Sequence, residues 1–334
     1  MSHQRIFLLH ALAPLHVGVD AGVGAIDLPT MREAHTGYPV IPGSSVKGVL
    51  REEAEIRTSR EAEEVLAAFG PPQNLSGDSR GGAVFTDAQL LALPVRSLCG
   101  TFAWVSCDFA LRRLARDLAT AGYGELERPP RLTEASGASL APARSGQPKP
   151  LLSVETVANG KHRVFLEDLV IEAAEDQVVA RLAETLAEWL WPGDDGAVDR
   201  ELFRDRFLLV HDDVFAFLTN FAMEVRARVQ LDSESGTVAV GPWSEEHLPT
   251  ESILHGLVMG RKTRIVRRPK GSPNDEVPED KKVPWSESRC LAVVAGLLAA
   301  DPVLRFGGHS SVGLGRARVR LLEEGPGRKE GGAA

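Results

Sequence analysis

Residues 9–51 read LHALAPLHVGVDAGVGAIDLPTMREAHTGYPVIPGSSVKGVLR. A strand pattern over residues 5–17 runs into a loop holding Gly18, Gly22 and Gly24, and a second polar turn follows from His35 to Gly43. Pro42-Gly43-Ser44-Ser45 then opens a helix expected to reach about Thr58, with Ser44 or Ser45 as its N-cap. The far end of the chain has the same ingredients. A helix pattern at 287–300 precedes LRFGGHSSVGLGRARVRLL (304–322), which reads as strand, glycine-rich loop and strand. Strands from both ends that bracket helices predict an α+β fold.

Between these ends, 83–95 and 252–264 read as extended, 107–119 and 176–191 as helices, and 223–240 as a hairpin around LDSESGTV. Residues 121–163, rich in Gly, Pro and Ser, read as an irregular insertion. The expectation is a single domain over 1–325, with a frayed tail at 326–334.

At 334 residues, 43% apolar and 25% charged, the chain has ordinary globular composition and can bury a core without disulfides. No stretch approaches the roughly 18 apolar residues of a membrane span, and the N-terminus makes a poor signal peptide. A cytoplasmic protein with no membrane partner is expected. Cys99, Cys107 and Cys290 form neither a disulfide framework nor a zinc knuckle, and read as inert thiols.

The net charge of −8 by itself argues against binding nucleic acid. Its distribution argues the other way. Residues 256–274 hold Arg261, Lys262, Arg264, Arg267, Arg268 and Lys270 without an acid, and 303–320 hold Arg305, Arg316, Arg318 and Arg320 likewise. Such segregation allows one basic face on an acidic protein.

Two segments suit anion chemistry. The helix start PGSSVKGVLR offers backbone N–H groups, the hydroxyls of Ser44 and Ser45, and Lys47 and Arg51 on one helical face. A capped helix with a solvated basic pair is the plainer reading; a Walker A loop is excluded by the order Lys47-Gly48. In the C-terminal loop, Gly307, Gly308, Gly313 and Gly315, with His309 and Arg316, let backbone amides approach an anion, or else simply close a bulged hairpin.

Asp27, in GAIDLP, reads either as a turn-forming carboxylate or as a group that binds a divalent ion or accepts a proton. Asp20 shares its loop. His16, in PLHVG, is either under the strand or a partner for Asp27. His211-Asp212-Asp213 looks like a fragment of a metal phosphohydrolase motif. It reads better as a helix cap by Asp212 or Asp213, ahead of a stripe of Val214, Phe217, Leu218 and Phe221. Trp189 and Trp191 read as core.

Taken together, LHALAPLHVG, GAIDLP and EAHTGYPVIPGSSVKGVLRE, followed in order by RSLCGTFAWVSC, LDSESGTV, EEHLPTES and GGHSSVGLGR, resemble the repeat-associated mysterious protein (RAMP) superfamily. Within it the sequence is most similar to the fourth-subunit family of type III-B CRISPR Cmr complexes. The resemblance touches most of the chain; 121–210 adds little. It implies a ferredoxin-like (RNA-recognition-motif) palm with large helical and loop insertions, and copies stacked head-to-tail along a CRISPR guide RNA beside other Cmr subunits. It implies guide contacts from Ser44, Ser45, Lys47, Arg51 and the loop Gly307–Arg316, and a thumb hairpin that splays the guide–target duplex, with 259–286 as its candidate. It places target RNA cleavage on Asp27, with help from His16, a supporting part for Glu251 and a divalent cation such as magnesium, giving 2′,3′-cyclic phosphate and 5′-hydroxyl ends. A purely guide-binding filament subunit and a guide-processing ribonuclease are the alternatives. All of this requires the two ends of the chain to fold side by side into one groove.

Overall fold

The computed structural model describes residues 3–18, 26–60, 62–71, 80–132, 137–143, 151–153, 161–266 and 282–323. The first third runs β1 (Gln4–Ala11), β2 (Val40–Ile41), α1 (Gly43–Arg57), α2 (Glu63–Phe69), β3 (Ala83–Phe85), β4 (Ala88–Arg96), β5 (Phe102–Cys107) and α3 (Asp108–Ala121). The middle runs β6 (Gly137–Leu140), β7 (Lys161–Leu166), β8 (Leu169–Glu175), α4 (Gln177–Leu190), α5 (Ala197–Arg206), β9 (Phe207–Val210) and α6 (Asp212–Phe221). The hairpin β10 (Glu224–Leu231) and β11 (Val238–His247) follows. Then come β12 (Ile253–Gly260), β13 (Thr263–Val266), β14 (Lys282–Trp285), α7 (Glu287–Ala300), β15 (Val303–Arg305) and β16 (Arg316–Leu321).

The large sheet contains the neighbours β16-β1-β12-β4, all antiparallel. In chain order this is β1-α1-β4, then β12-α7-β16. That is the β-α-β-β-α-β ferredoxin-like arrangement, so the α+β palm expected from the sequence is present. Strand β1 is buried on both faces, which explains its unbroken apolar run. Phe7 and Leu9 pack with Val46 and Leu50 of α1 and Val294 and Leu298 of α7. Ile6 and Leu8 pack with Leu111 and Leu114 of α3 and with α4.

The segment between β4 and β12 is inserted into the palm; its strands β5, β9, β6, β8 and β7 extend the sheet, while β10 and β11 form a separate hairpin. This insertion runs well beyond 121–163, because α3 and α4 have the same periodicity as palm helices and only pairing tells them apart. The N-terminal strand stops at Ala11 rather than at 17, since the N–H groups of Leu12 and Ala13 both turn to the Arg316 carbonyl. In α6 the cap is His211, whose side chain accepts from Asp213 N, not Asp212 or Asp213; Asp212 instead accepts from Phe109 N at the start of α3. Phe215 and Leu218 face the core, whereas Phe217 and Phe221 are exposed and stack on each other with centroids 4.3 Å apart. The apolar stripe of that helix is therefore split. Trp191 is buried beside Trp104 and Phe203, and Trp189 packs against the same cluster. Cys107 and Cys290 are buried and burial pushes both thiols up, while Cys99 is half-buried.

Candidate nucleic-acid interface

The helix start is built from a distance. Pro42 is the N-cap residue of α1 and neither serine caps it. The oxygen comes from Asp87, which accepts from Gly43 N at 2.8 Å. A Cβ at Gly43 would fall 2.4 Å from the Phe85 carbonyl, so the glycine lets the helix tip lie on the β3–β4 corner. Ser44 is exposed and Ser45 half-buried. Lys47 is half-buried, and burial followed by repulsion from Arg51 lowers its pKa. Among the described residues no carboxylate pairs with it, so it is a cation short of an anion. Arg51 differs: its Nε is 2.8 Å from Glu55 and its Nη1 reaches the Pro71 carbonyl, so part of its charge is already used within the helix.

The two ends of the chain meet by a ladder of single hydrogen bonds. Gly308 N–H donates to His16 O at 3.0 Å, Met31 N–H to Val17 O at 2.7 Å, and Val40 N–H to Met31 O at 3.0 Å. Three strand spacings of about 4.8 Å separate the glycine-rich loop from the strand leading into α1. At the other end of α1, Arg57 donates to Leu297 O in the last turn of α7, the helix that leads into β15. Helix tip and glycine-rich loop therefore share one edge of the palm. Arg316 is exposed at the start of β16.

Strand β11 organises the rest. Asp27 is exposed, and its Oδ2 accepts from Ser244 N at 2.7 Å and from Ser244 Oγ at 2.9 Å, while Asp27 N donates to Ser244 Oγ at 3.0 Å. The Ser244 N–H, then its hydroxyl, hold this carboxyl below the usual range. Two residues further along, the Glu246 carbonyl accepts from His16 Nδ1 at 2.8 Å. That bond assigns the proton to Nδ1 and leaves Nε2 open in the neutral ring. His16 is only 8% exposed, with its ring between His247 and His309. Asp27 and His16 thus hang from one strand, their anchors about 7 Å apart.

Two carboxylates not predicted from the sequence pin that strand. Glu245, 1% exposed, lies 2.5 Å from Arg228 Nε, 2.9 Å from Trp243 Nε1 and 3.2 Å from His309 Nε2. Burial opposes its charge, but Trp243, His309 and Arg228 hold its carboxyl low. Glu246, 3% exposed, accepts from Thr30 N at 3.0 Å and pairs with Arg32 at 2.6 Å. The only sequence signal was the adjacent pair Glu245-Glu246 in Ser244-Glu245-Glu246-His247, and their burial, which demands partners, is visible only in the structure.

Other expectations fall elsewhere. Glu251 pairs with His10 at 2.6 Å and its carbonyl accepts from Trp104 Nε1, so it belongs to the insertion side of the palm. Asp20, and 267–281 of the candidate thumb, lie outside the described residues. The flanks of that segment pair as β13–β14, with Ile265 and Trp285 buried against Ala67 and Cys290. The β10–β11 hairpin is a separate two-stranded sheet with Val225, Val229, Leu231, Val238 and Val240 exposed. Among the described residues no group of three metal-ligating side chains forms, and no helix is long and apolar enough to cross a membrane.

The sequence matches the model of the RAMP superfamily over residues 8–318. It is 30% identical to the CRISPR system Cmr endoribonuclease Cmr4 of Pyrococcus furiosus over 94% of both chains. The crystal structure of oligomeric Cmr4 from that organism superposes with a TM-score of 0.64 at 26% identity, over 95% of this chain and 97% of the other. A chain of a type III-B Cmr-beta complex bound to cognate target RNA shares the fold, with a TM-score of 0.66 at 18% identity over 95% and 96%. With its ferredoxin-like palm and a family match over residues 8–318, the chain belongs to the RAMP superfamily and is a homologue of the Cmr endoribonuclease Cmr4.

Proposed function

We propose that this chain is an endoribonuclease and backbone subunit of a type III-B CRISPR effector, stacked head-to-tail on a guide RNA and cutting the paired target at regular intervals. The observation that carries the reading is that Asp27 is tied to the base of the projecting β10–β11 hairpin, beside the glycine-rich loop. The hairpin, with apolar side chains turned to solvent, suits a wedge between stacked bases. A nucleotide splayed there is freed to bring its 2′-oxygen in line with its own phosphate, next to Asp27.

In the reaction the 2′-hydroxyl gives its proton to a base as its oxygen bonds to phosphorus, the bond to the 5′-oxygen breaks, and that oxygen takes up a proton. The products are a 2′,3′-cyclic phosphate and a 5′-hydroxyl. Asp27, with its lowered pKa, suits a fixed negative charge or metal ligand better than a proton acceptor, for which a value near the working pH is best. Ser244 engages Oδ2 alone, which leaves Oδ1 free of the clamp. One carboxylate oxygen fits a magnesium ion whose remaining ligands are phosphate and water; when bound, it would neutralise charge developing on the phosphate. We assign the proton exchange to His16 Nε2, the ring nitrogen that the Glu246 carbonyl does not hold.

End-labelled target incubated with assembled complex should give cuts at constant spacing with cyclic phosphate ends; 3′-hydroxyl ends would exclude this chemistry. The Ser244 clamp also suits a second reading, in which Asp27 only fastens the loop and the subunit merely builds the filament.

Guide contacts follow from Lys47 and the glycine-rich loop. Lys47→Ala should weaken guide-RNA binding by about tenfold and lower the salt slope by about one phosphate contact. Arg51→Ala should do less, because Glu55 already holds that guanidinium. Equal losses, or none, would show that the helix start does not grip phosphate.

A further inference from the structure

We infer that Ser244 is a positioning residue for cleavage, fixing the Asp27 carboxylate so that Oδ1 faces the reacting phosphate. The inference rests on the reading of Asp27 as the cleaving residue.

The geometry is a closed clamp. Ser244 Oγ accepts from Asp27 N at 3.0 Å, and its one proton goes to Oδ2 at 2.9 Å, where Ser244 N also donates at 2.7 Å. A hydroxyl has a single donor, so with that proton committed the carboxylate is held at one oxygen from two directions and cannot rotate freely about χ2. The neighbouring backbone repeats the fastening: Leu28 N donates to Ser244 O and Glu246 N to Leu28 O, both at 3.0 Å.

The strand that carries Ser244 is itself registered against both RNA-facing loops. Glu245 takes His309 of the glycine-rich loop on one side, while Glu246 takes Thr30 N and Arg32 on the other. The side chain that aims Asp27 is therefore fixed relative to the loop proposed to seat the guide. A rigid second contact of this kind is what holds a reacting group within tolerance, and a misplacement of about 1 Å can cost roughly 100-fold.

Ser244 is half-exposed, so removing its oxygen leaves the core intact. Assembled complexes carrying Ser244→Ala, Ser244→Thr or Asp27→Asn should be compared in single-turnover cleavage and in target-RNA binding. Ser244→Ala should slow cutting about 10- to 100-fold with the target Kd changed less than about twofold. Ser244→Thr, which keeps the hydroxyl on a strand-favouring side chain, should stay within about threefold of wild type. Adding Ser244→Ala to Asp27→Asn should cost nothing more, since the serine acts through that carboxylate. Wild-type cutting by Ser244→Ala, a matching loss of target binding, or failure of Ser244→Thr to restore the rate would each overturn the positioning role. Wild-type cutting by Asp27→Asn would instead remove the reading on which it stands.

Discussion

Asp27→Asn in the assembled complex is expected to reduce target cutting at every interval about 100- to 1,000-fold while leaving guide and target binding unchanged. The substitution is nearly isosteric, and the Ser244 clamp survives it. The amide oxygen takes the place of Oδ2, accepting from Ser244 N and Oγ, so the loop keeps its anchor on β11. What changes is the open side. The amide nitrogen then occupies the position of Oδ1 and presents hydrogens where a carboxylate presented charge and lone pairs. A function that needs negative charge or a metal ligand there is lost; a function that needs only the loop fastened is kept. The same variant therefore separates the enzyme from the filament-only subunit. Cutting at wild-type rate by a fully assembled Asp27→Asn complex would make Asp27 a structural clamp.

The parts of the fold legible in the sequence are those decided locally. Helix α7 spans residues 287–300 as read, because Ser286 caps it and its apolar period is unbroken. The hairpin was visible as alternation around a polar turn, and α4 began after its capping Asp176. Helix α1 was also legible, but its cap was not, since the oxygen on Gly43 N comes from a residue 44 positions away. The strand order β16-β1-β12-β4 depends on which apolar runs pair, and pairing leaves no mark in a single sequence.

The candidate site divides in the same way. Asp27, His16 and the glycine-rich loop could be named from residue type and resemblance. The strand that brings them together could not, because Ser244 and Asp27 are 217 residues apart and His16 and Glu246 are 230 apart. The stripe of α6 failed for a related reason. Residues 214, 217, 218 and 221 form one helical face, yet the core takes Phe215 and Leu218 and leaves Phe217 and Phe221 to solvent. A sequence shows which faces a helix has, while the neighbours decide which of them is covered.

A glycine series should separate the RNA-gripping part of the C-terminal loop from the part that merely closes the fold. Gly307 has φ +78° and an added Cβ would sit 2.1 Å from the His16 carbonyl. Gly307→Ala therefore combines left-handed strain of about 1–2 kcal/mol with displacement of the loop from His16. It should lower Tm by at least about 2 °C and weaken guide-RNA binding more than about tenfold. Gly313→Ala carries the strain alone, because φ is +88° but no atom lies within 4 Å, so its effect on Tm should be smaller. Gly308 is the informative position. Its backbone is open to any residue, and an added Cβ would meet only His16 Cδ2 at an ordinary 3.9 Å. Gly308→Ala should leave Tm unchanged, so a fall in guide affinity would mean that RNA backbone approaches the chain there more closely than a methyl group permits. Should Gly308→Ala bind guide as wild type does while Gly307→Ala loses both stability and binding, the loop serves to cover His16, and the phosphate contacts must then come from the helix at Lys47.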